Sequence, residues 1–149
     1  MNKILVTLVF ILSLSSISSA NENLISIKSS HSVAKTADKF EKIAKSKGMK
    51  IFAKINHTKG AKSINEKLRP TQLIIFGNPK AGTPLMQVNQ TIGIDLPLKV
   101  LFWQDKNNET WISYYKPKSI IASHNITNKE KIANKMTNIL KTFTQKAAN

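Results

Sequence analysis

Two of the three histidines lie beside the predicted ends of strands, where binding and catalytic groups are usually found: His57 follows an apolar strand and His124 follows a predicted hairpin. Neutral imidazole binds metals and exchanges a proton near neutral pH. Together with Met86 the pair would form a soft ligand set suited to Cu(I). Neither histidine has a second one two to four positions away, and this spacing favours structural hydrogen bonding. We therefore expect no metal and predict that His57 and His124 face one small-ligand cavity.

Three further polar residues are candidates for contacting a ligand. Asp95 precedes a Leu-Pro pair, where it either caps the tight turn, which we favour, or positions a ligand hydroxyl. Arg69 is the only arginine, and its guanidinium can hold a carboxylate through two parallel hydrogen bonds. That carboxylate belongs either to a ligand or, as we favour, to a structural partner such as Asp95 or Asp105. Asn78 lies in the loop after the third predicted strand.

The segment from Gly77 to Pro97 holds three of the five glycines and three of the five prolines of the chain. Glycine reaches positive φ without strain and proline fixes φ, so this density predicts a shaped loop with glycines in the left-handed region. Structured loops of this length are usually functional or tightly packed. We expect part of the Gly77–Gly93 loop to form one wall of the cavity, with Met86 or Asp95 beside the ligand.

Two longer motifs identify a family resemblance. Residues 69–86 read RPTQLIIFGNPKAGTPLM and residues 95–105 read DLPLKVLFWQD. Both resemble the hallmark of the domain-of-unknown-function 302 family, and the similarity extends over roughly residues 24–143. The family usually has an aspartate before the histidine at position 57, where this chain has Asn56. The missing carboxylate weakens an acid–base role for His57. The resemblance itself implies no activity.

The first 20 residues have the three-part layout of a secretory signal. Lys3 gives the positive start, an apolar body runs from Ile4 to Leu14, and small residues lead up to Ala20. The apolar body is about half the roughly 20 residues that span a bilayer. We expect cleavage after Ala20, a periplasmic or secreted protein, and no transmembrane segment after cleavage. With no cysteine, the mature domain must rely on its packed core alone.

The chain is strongly basic, with a formal net charge of +15. Such a charge attracts acidic polymers and surfaces. Of the 23 basic residues only one is arginine, however, and specific readers of phosphate and bases depend on the guanidinium fork. We therefore predict weak electrostatic contact with acidic surfaces and no specific nucleic-acid recognition.

Apolar periodicity and turn signals predict an α+β fold for residues 21–149 as a single domain, with an antiparallel or mixed sheet of about five strands packed against two main helices. Ser32 is predicted to cap the first main helix and Gly48 to end it. Thr127 and Glu130 have capping-box spacing at the start of the second. The predicted strands are 23–28, 50–56, 72–76, 98–104 and 110–115, and a short helix is predicted around 61–68.

The leading functional hypothesis is an uncharacterised exported module that holds a small ligand between the Gly77–Gly93 loop and the sheet. A hydrolase or isomerase that uses His57 and His124 ranks second, because no nucleophile, paired carboxylate or metal triad is visible. The third hypothesis is an envelope-associated structural protein whose lysines bind acidic polymers. Trp103 and Trp111 either stack on a flat ligand or, as we favour, pack across strands. Ligand, cofactor and oligomeric state stay open.

Overall fold

A five-stranded antiparallel sheet organises residues 22–149, the part of the chain that the computed structural model describes. The predicted signal segment, residues 1–20, lies outside it. The strands are β1 (Leu24–Ser29), β2 (Lys50–Asn56), β3 (Thr71–Gly77), β4 (Leu98–Gln104) and β5 (Thr110–Tyr115). Their order across the sheet is β1-β5-β4-β3-β2, so the first and last strands of the chain pair with each other and the second strand forms one edge.

Five α-helices and one 3₁₀ helix connect or cover the described strands. The α+β single-domain prediction is confirmed, with two long helices against the sheet. Between residues 22 and 149, no helix combines the length and the hydrophobicity that a bilayer crossing requires. The helices are α1 (Val33–Ser46), α2 (His57–Ser63), α3 (Pro79–Met86), the 3₁₀ helix (Gln90–Ile94), α4 (Pro117–Ser123) and α5 (Glu130–Ala148).

The core lies between the sheet and the pair of long helices, α1 and α5, which pack against each other. Phe40 of α1 is fully buried at its centre. Its ring meets those of Phe76, Phe102 and Phe143 edge-on, with centroids 5.1, 5.4 and 6.2 Å away. Because these rings come from α1, β3, β4 and α5, one aromatic cluster joins both layers of the fold.

The ends of the long helices follow local signals at α1 but not at α5. The Ser32 hydroxyl accepts a hydrogen bond from the Lys35 amide, and Gly48 follows the helix with φ of 72°, as predicted. At α5 the N-cap is Lys129, with no capping bond from its side chain, so the capping box from Thr127 is wrong. Glu130 instead occupies the first turn, where its charge suits the helix dipole.

The predicted Gly77–Gly93 loop is largely helical, because it contains α3 and the 3₁₀ helix. Among the glycines only Gly48 has a positive φ, so the left-handed conformation expected at Gly77 and Gly82 is wrong. Four asparagines adopt positive φ instead, since the short polar side chain tolerates that region. They are Asn65, Asn108, Asn125 and Asn128.

Candidate ligand-binding cleft

A cleft of about 530 Å³ opens between α3, the sheet and α5. One wall is the turn from β3 into α3, residues 76–83, and a second is the approach to β4, residues 96–98. The side chains of Ile132, Met136 and Ile139 close it from α5. Met49 and Phe52 complete the lining beside β2. Residues of the Gly77–Gly93 loop thus form one wall of the cleft, and α5 forms another that the sequence did not indicate.

The lining of the cleft is almost wholly apolar. Three methionines, Met49, Met86 and Met136, contribute to it, and they are all the methionines of the described chain. Met side chains are unbranched and polarizable, so they adapt to ligands of different shape. The polar side chains in the lining are those of Asn78, Lys80, Thr83 and Lys135, and no carboxylate is among them.

The turn that shapes the cleft is fixed by Gly77, Asn78 and Pro79. A Cβ at Gly77 would lie 3.3 Å from the Cβ of Pro97, so glycine is needed for close approach rather than for positive φ. The Asn78 side chain accepts a hydrogen bond from the Lys80 amide at 2.9 Å and caps α3. Pro79 occupies the first turn, where a missing amide costs nothing. Asn78 thus both caps the helix and lines the cleft.

His124 lies outside the cleft lining, in a hydrogen-bonded network with the 3₁₀ helix. Its Nε2 atom is 2.7 Å from Oδ2 of Asp95, and its Nδ1 atom is 2.8 Å from the Thr91 hydroxyl. The side-chain Nδ2 atom of Asn89 donates to the His124 backbone carbonyl at 2.9 Å. The side chain of His124 is only 13% exposed. The Asp95 carboxylate therefore contacts an imidazole, which replaces the turn cap that we favoured.

His57 lies at the opposite end of the sheet. The residue before it, Asn56, pairs with Gln72 at the start of β3. Asp95, the partner of His124, lies just before β4, which begins opposite Phe76 at the end of β3. Gln72 and Phe76 are roughly 13 Å apart along the strand. The prediction that His57 and His124 share a cavity is wrong, because strand pairing carries their elements to opposite ends.

The soft-metal set of two histidines and a methionine is consequently not assembled. His57 is exposed, and its ring makes no hydrogen bond within residues 22–149. In the same range there is no group of three or more histidine, aspartate or glutamate side chains that could hold a metal ion.

Arg69 and the tryptophans stabilise the β4–β5 hairpin. The Nε atom of Arg69 donates to the Gln104 carbonyl at 3.0 Å. Its guanidinium forms no direct ion pair with a carboxylate in the described residues, but after the Trp111 hydrogen bond its charge also contributes to lowering the Asp105 pKa. Trp103 and Trp111 are cross-strand partners with ring centroids 6.4 Å apart, as the packing alternative predicts. Asp105 accepts hydrogen bonds from the Trp111 indole and from the Asn107 and Glu109 amides. The Trp111 bond is the main cause that lowers the Asp105 pKa.

Of the six candidate residues, only Asn78 and Met86 line the cleft. Four of the lining residues that sequence reasoning missed lie on α5, and the others are Met49, Phe52, Phe76, Leu96, Pro97 and Leu98. The apolar residues on α5 recur at helical spacing, and Ile132 and Ile139 among them are only partly buried. Lys135 falls between those two residues along the helix and gave no separate signal.

This chain is similar to solved and to curated proteins. The crystal structure of an uncharacterised conserved protein DUF302 from Bacillus stearothermophilus matches with a TM-score of 0.76 at 19% identity, over 85% of this chain and 98% of that chain. At this identity the likeness shows the fold alone. Three curated relatives are named as fluoride-specific ion channels. FluC 1 of Brucella suis biovar 1 is 42% identical over 106 residues, which are 71% of this chain and 42% of the relative.

FluC 2 of Brucella melitensis biotype 1 is also 42% identical over 106 residues, which cover 39% of its length. This chain therefore spans about two-fifths of the curated relatives that it matches. The family model described as "Domain of unknown function DUF302" matches residues 25–143, which is most of the chain. The family resemblance of the sequence motifs is confirmed, and the chain belongs to the DUF302 family.

Proposed function

We propose that this protein is an exported binding module that holds a small, mainly apolar organic molecule in the cleft between α3, the sheet and α5. The observation that carries the proposal is the cleft itself. Protein interiors are usually filled to crystal-like density, with few voids larger than a water molecule. A space of about 530 Å³ lies within the range of 300–1,000 Å³ that is typical of small-molecule sites.

The chemistry of the walls supports an organic ligand. Phe76 and Leu98 are buried core residues that also line the cleft, so a ligand would continue the core outward. Phe52, at one side of the cleft, is 45% exposed, and burial of its ring against a ligand would be favourable. The three methionines can adjust their rotamers around a guest. These features favour ligand binding over a purely structural role in the envelope, because a structural protein needs no open cleft.

The relatives also fit a module. In the proteins named as fluoride channels, the matched segment makes up about two-fifths of a longer chain. A domain that recurs as one part of a longer protein can serve as the ligand-binding or partner-binding part of that protein. We infer no channel activity from this likeness.

A hydrolytic role for His124 is the second candidate. Its ring lies between the Thr91 hydroxyl and the Asp95 carboxylate, the order of groups in a nucleophile–base–acid triad. The Thr91 hydroxyl is also 2.8 Å from the Asn89 side-chain oxygen, and none of these residues lines the cleft. We therefore rank binding first. Esterase activity of the purified protein that disappears in Thr91→Ala would reverse this order.

The cleft proposal is tested by filling the space with a side chain. A Cβ at Gly82 would make ordinary contacts with Leu96 at 3.7 Å and Met86 at 3.8 Å, so Gly82→Phe should fold and place its ring in the cleft. Gly60→Phe is the matched control, because Gly60 is also helical and has open space around it. The readout is fluorescence of N-phenyl-1-naphthylamine, a neutral apolar probe.

We expect the wild type and Gly60→Phe to bind the probe equally, and Gly82→Phe to bind it at least about tenfold more weakly, since each 1.4 kcal/mol lost is a factor of ten. Native mass spectrometry of protein from its own host should in addition detect a retained organic molecule. Absence of probe binding to the wild type, or equal binding by both variants, would refute the proposal.

A further inference from the structure

The rim of the cleft carries lysines on two sides. Lys80 projects from the first turn of α3 and Lys135 from α5, and both belong to the lining. Within residues 22–149 neither has an ion-pair partner, whereas Lys45 and Lys54 both pair with Glu41. In so basic a chain, an unpaired lysine alone has little meaning. Two of them facing one apolar cleft without a carboxylate is a specific arrangement.

The neutral polar groups at the rim, like the two lysines, can bind an anionic group. The Asn78 side-chain oxygen accepts a hydrogen bond from the Lys80 amide, and its side-chain nitrogen can donate to a ligand. Thr83 adds a hydroxyl, which can donate as well. The polar side chains that line the cleft are therefore two ammonium groups, an amide donor and a hydroxyl. Such a set matches an anion better than a cation or a neutral polar group.

The surroundings of the two ammonium groups strengthen an interaction with an anion. Apolar walls lower the local dielectric, and charge–charge attraction is then larger than in open water. Lysine stems can lie along apolar surface while their ammonium groups stay at the edge. A ligand with an apolar body and an anionic end would bury its body against the walls and place its charge at that edge.

We infer that the ligand is an amphipathic organic acid whose carboxylate, sulfonate or phosphate lies between Lys80 and Lys135 at the rim, with its apolar body in the cleft. This inference rests on the proposed function of the cleft. The volume of about 530 Å³ suits a molecule of drug-like size, so we commit to a free acid with one tail or ring system rather than a two-chain lipid.

The experiment uses three ligands that share one tail: decanoate, decan-1-ol and decylamine. Their binding is measured by calorimetry on the wild type, Lys80→Gln and Lys135→Gln. Lys118→Gln is the control for Lys80, because both lysines follow a proline at the start of a short helix. Lys131→Gln is the control for Lys135, since it lies one turn earlier on α5, outside the lining.

We expect decanoate to bind the wild type about tenfold more tightly than decan-1-ol, and decylamine to bind most weakly, as charge complementarity requires. Lys80→Gln and Lys135→Gln should each weaken decanoate at least about threefold and leave decan-1-ol unchanged, whereas the two controls change neither. Phospholipid vesicles with anionic headgroups should not compete with decanoate.

Equal affinity for decanoate and decan-1-ol, a preference for decylamine, an equal effect of the control variants, or competition by the vesicles would overturn the inference. In those cases the cleft still binds an apolar body and the proposed function survives. If none of the three ligands and no N-phenyl-1-naphthylamine binds, the proposed function itself fails.

Discussion

His124 and Asp95 are 29 positions apart in the chain, and their side chains meet at 2.7 Å. Asp95 ends the 3₁₀ helix, and His124 ends α4. The contact joins the connection between β3 and β4 to the segment that follows β5. Because His124 also bonds to Thr91, the imidazole fixes the 3₁₀ helix at two points. We conclude that the primary role of this histidine is to hold the connection that leads into the cleft wall.

The first prediction separates the two histidines by their effect on stability. His124→Ala should lower the free energy of unfolding by about 1–3 kcal/mol, because it leaves the partners of a mostly buried imidazole unsatisfied. His57→Ala should change it by less than about 0.5 kcal/mol, because the residue is exposed. Urea unfolding monitored by tryptophan fluorescence measures both. A loss for His124→Ala as small as that expected for His57→Ala would show that the network is not stabilising.

The second prediction contrasts two phenylalanines. Phe40→Ala should cost about 3–5 kcal/mol, because Phe40 is fully buried among three other rings. Phe52→Ala should cost less than about 1 kcal/mol, since the ring is half exposed. The exposed variant should nevertheless weaken binding of N-phenyl-1-naphthylamine, because Phe52 lines the cleft. A Phe52→Ala protein that binds the probe normally would exclude this part of the wall.

The third prediction concerns acid. The Trp111 hydrogen bond and the backbone amides lower the pKa of Asp105 from its ordinary value of 3.8. A carboxylate with a lowered folded-state pKa stabilises the fold above the ordinary value, and this contribution is lost as the pH falls through the lowered value. Asp105→Asn should therefore destabilise the protein at pH 7, and the difference from wild type should shrink below about pH 4.

Chemical unfolding of wild type and Asp105→Asn at a series of pH values measures this effect. Glu66→Gln is the control, because the side chain of Glu66 makes no hydrogen bond within the described residues. Its stability difference from wild type should stay small at each pH. A stability difference for Asp105→Asn that is constant from pH 7 to pH 2 would contradict the assignment.

The fourth prediction is export. The layout of residues 1–20 predicts a mature protein that begins at Asn21 and lies outside the cytoplasm. N-terminal sequencing of the protein from its native host, after separation of the periplasm and medium from the cytoplasm, measures both. A chain that begins at Met1 in the cytoplasmic fraction would refute it.

Local patterns predicted most of the regular structure. β2 covers the predicted residues 50–56. Its two signals, the alternation of residues and the Gly48 stop of the preceding helix, both depend only on residues close together in the chain. The β4–β5 hairpin likewise follows from its polar turn. α3 was missed because Gly82 and Pro84 are typical helix breakers. Its true signal was the Asn78 cap followed by Pro79 in the first turn.

Only part of the site could be predicted from the sequence, because the positions of its residues depend on how the strands are ordered in the sheet. Residues of the Gly77–Gly93 loop line the cleft, and the glycines and prolines of that loop indicate a fixed geometry. The positions of His57 and His124 depend on strand order, which no local pattern states. Met136 belongs to a helical stripe that looks the same in sequence whether it packs against the core or lines a cleft. Long-range packing alone distinguishes the two.

The most direct test of the cleft is NMR of the protein labelled with ¹³C on its methionine methyl groups. The three methionines of the described chain all line the cleft, so each methyl signal is a local reporter. On titration with N-phenyl-1-naphthylamine we predict that the signals of Met49, Met86 and Met136 shift together and saturate at one probe per chain, and that Gly82→Phe abolishes the shifts. Methionine signals that do not move while the probe binds would contradict the account, because the ligand would then occupy another part of the molecule.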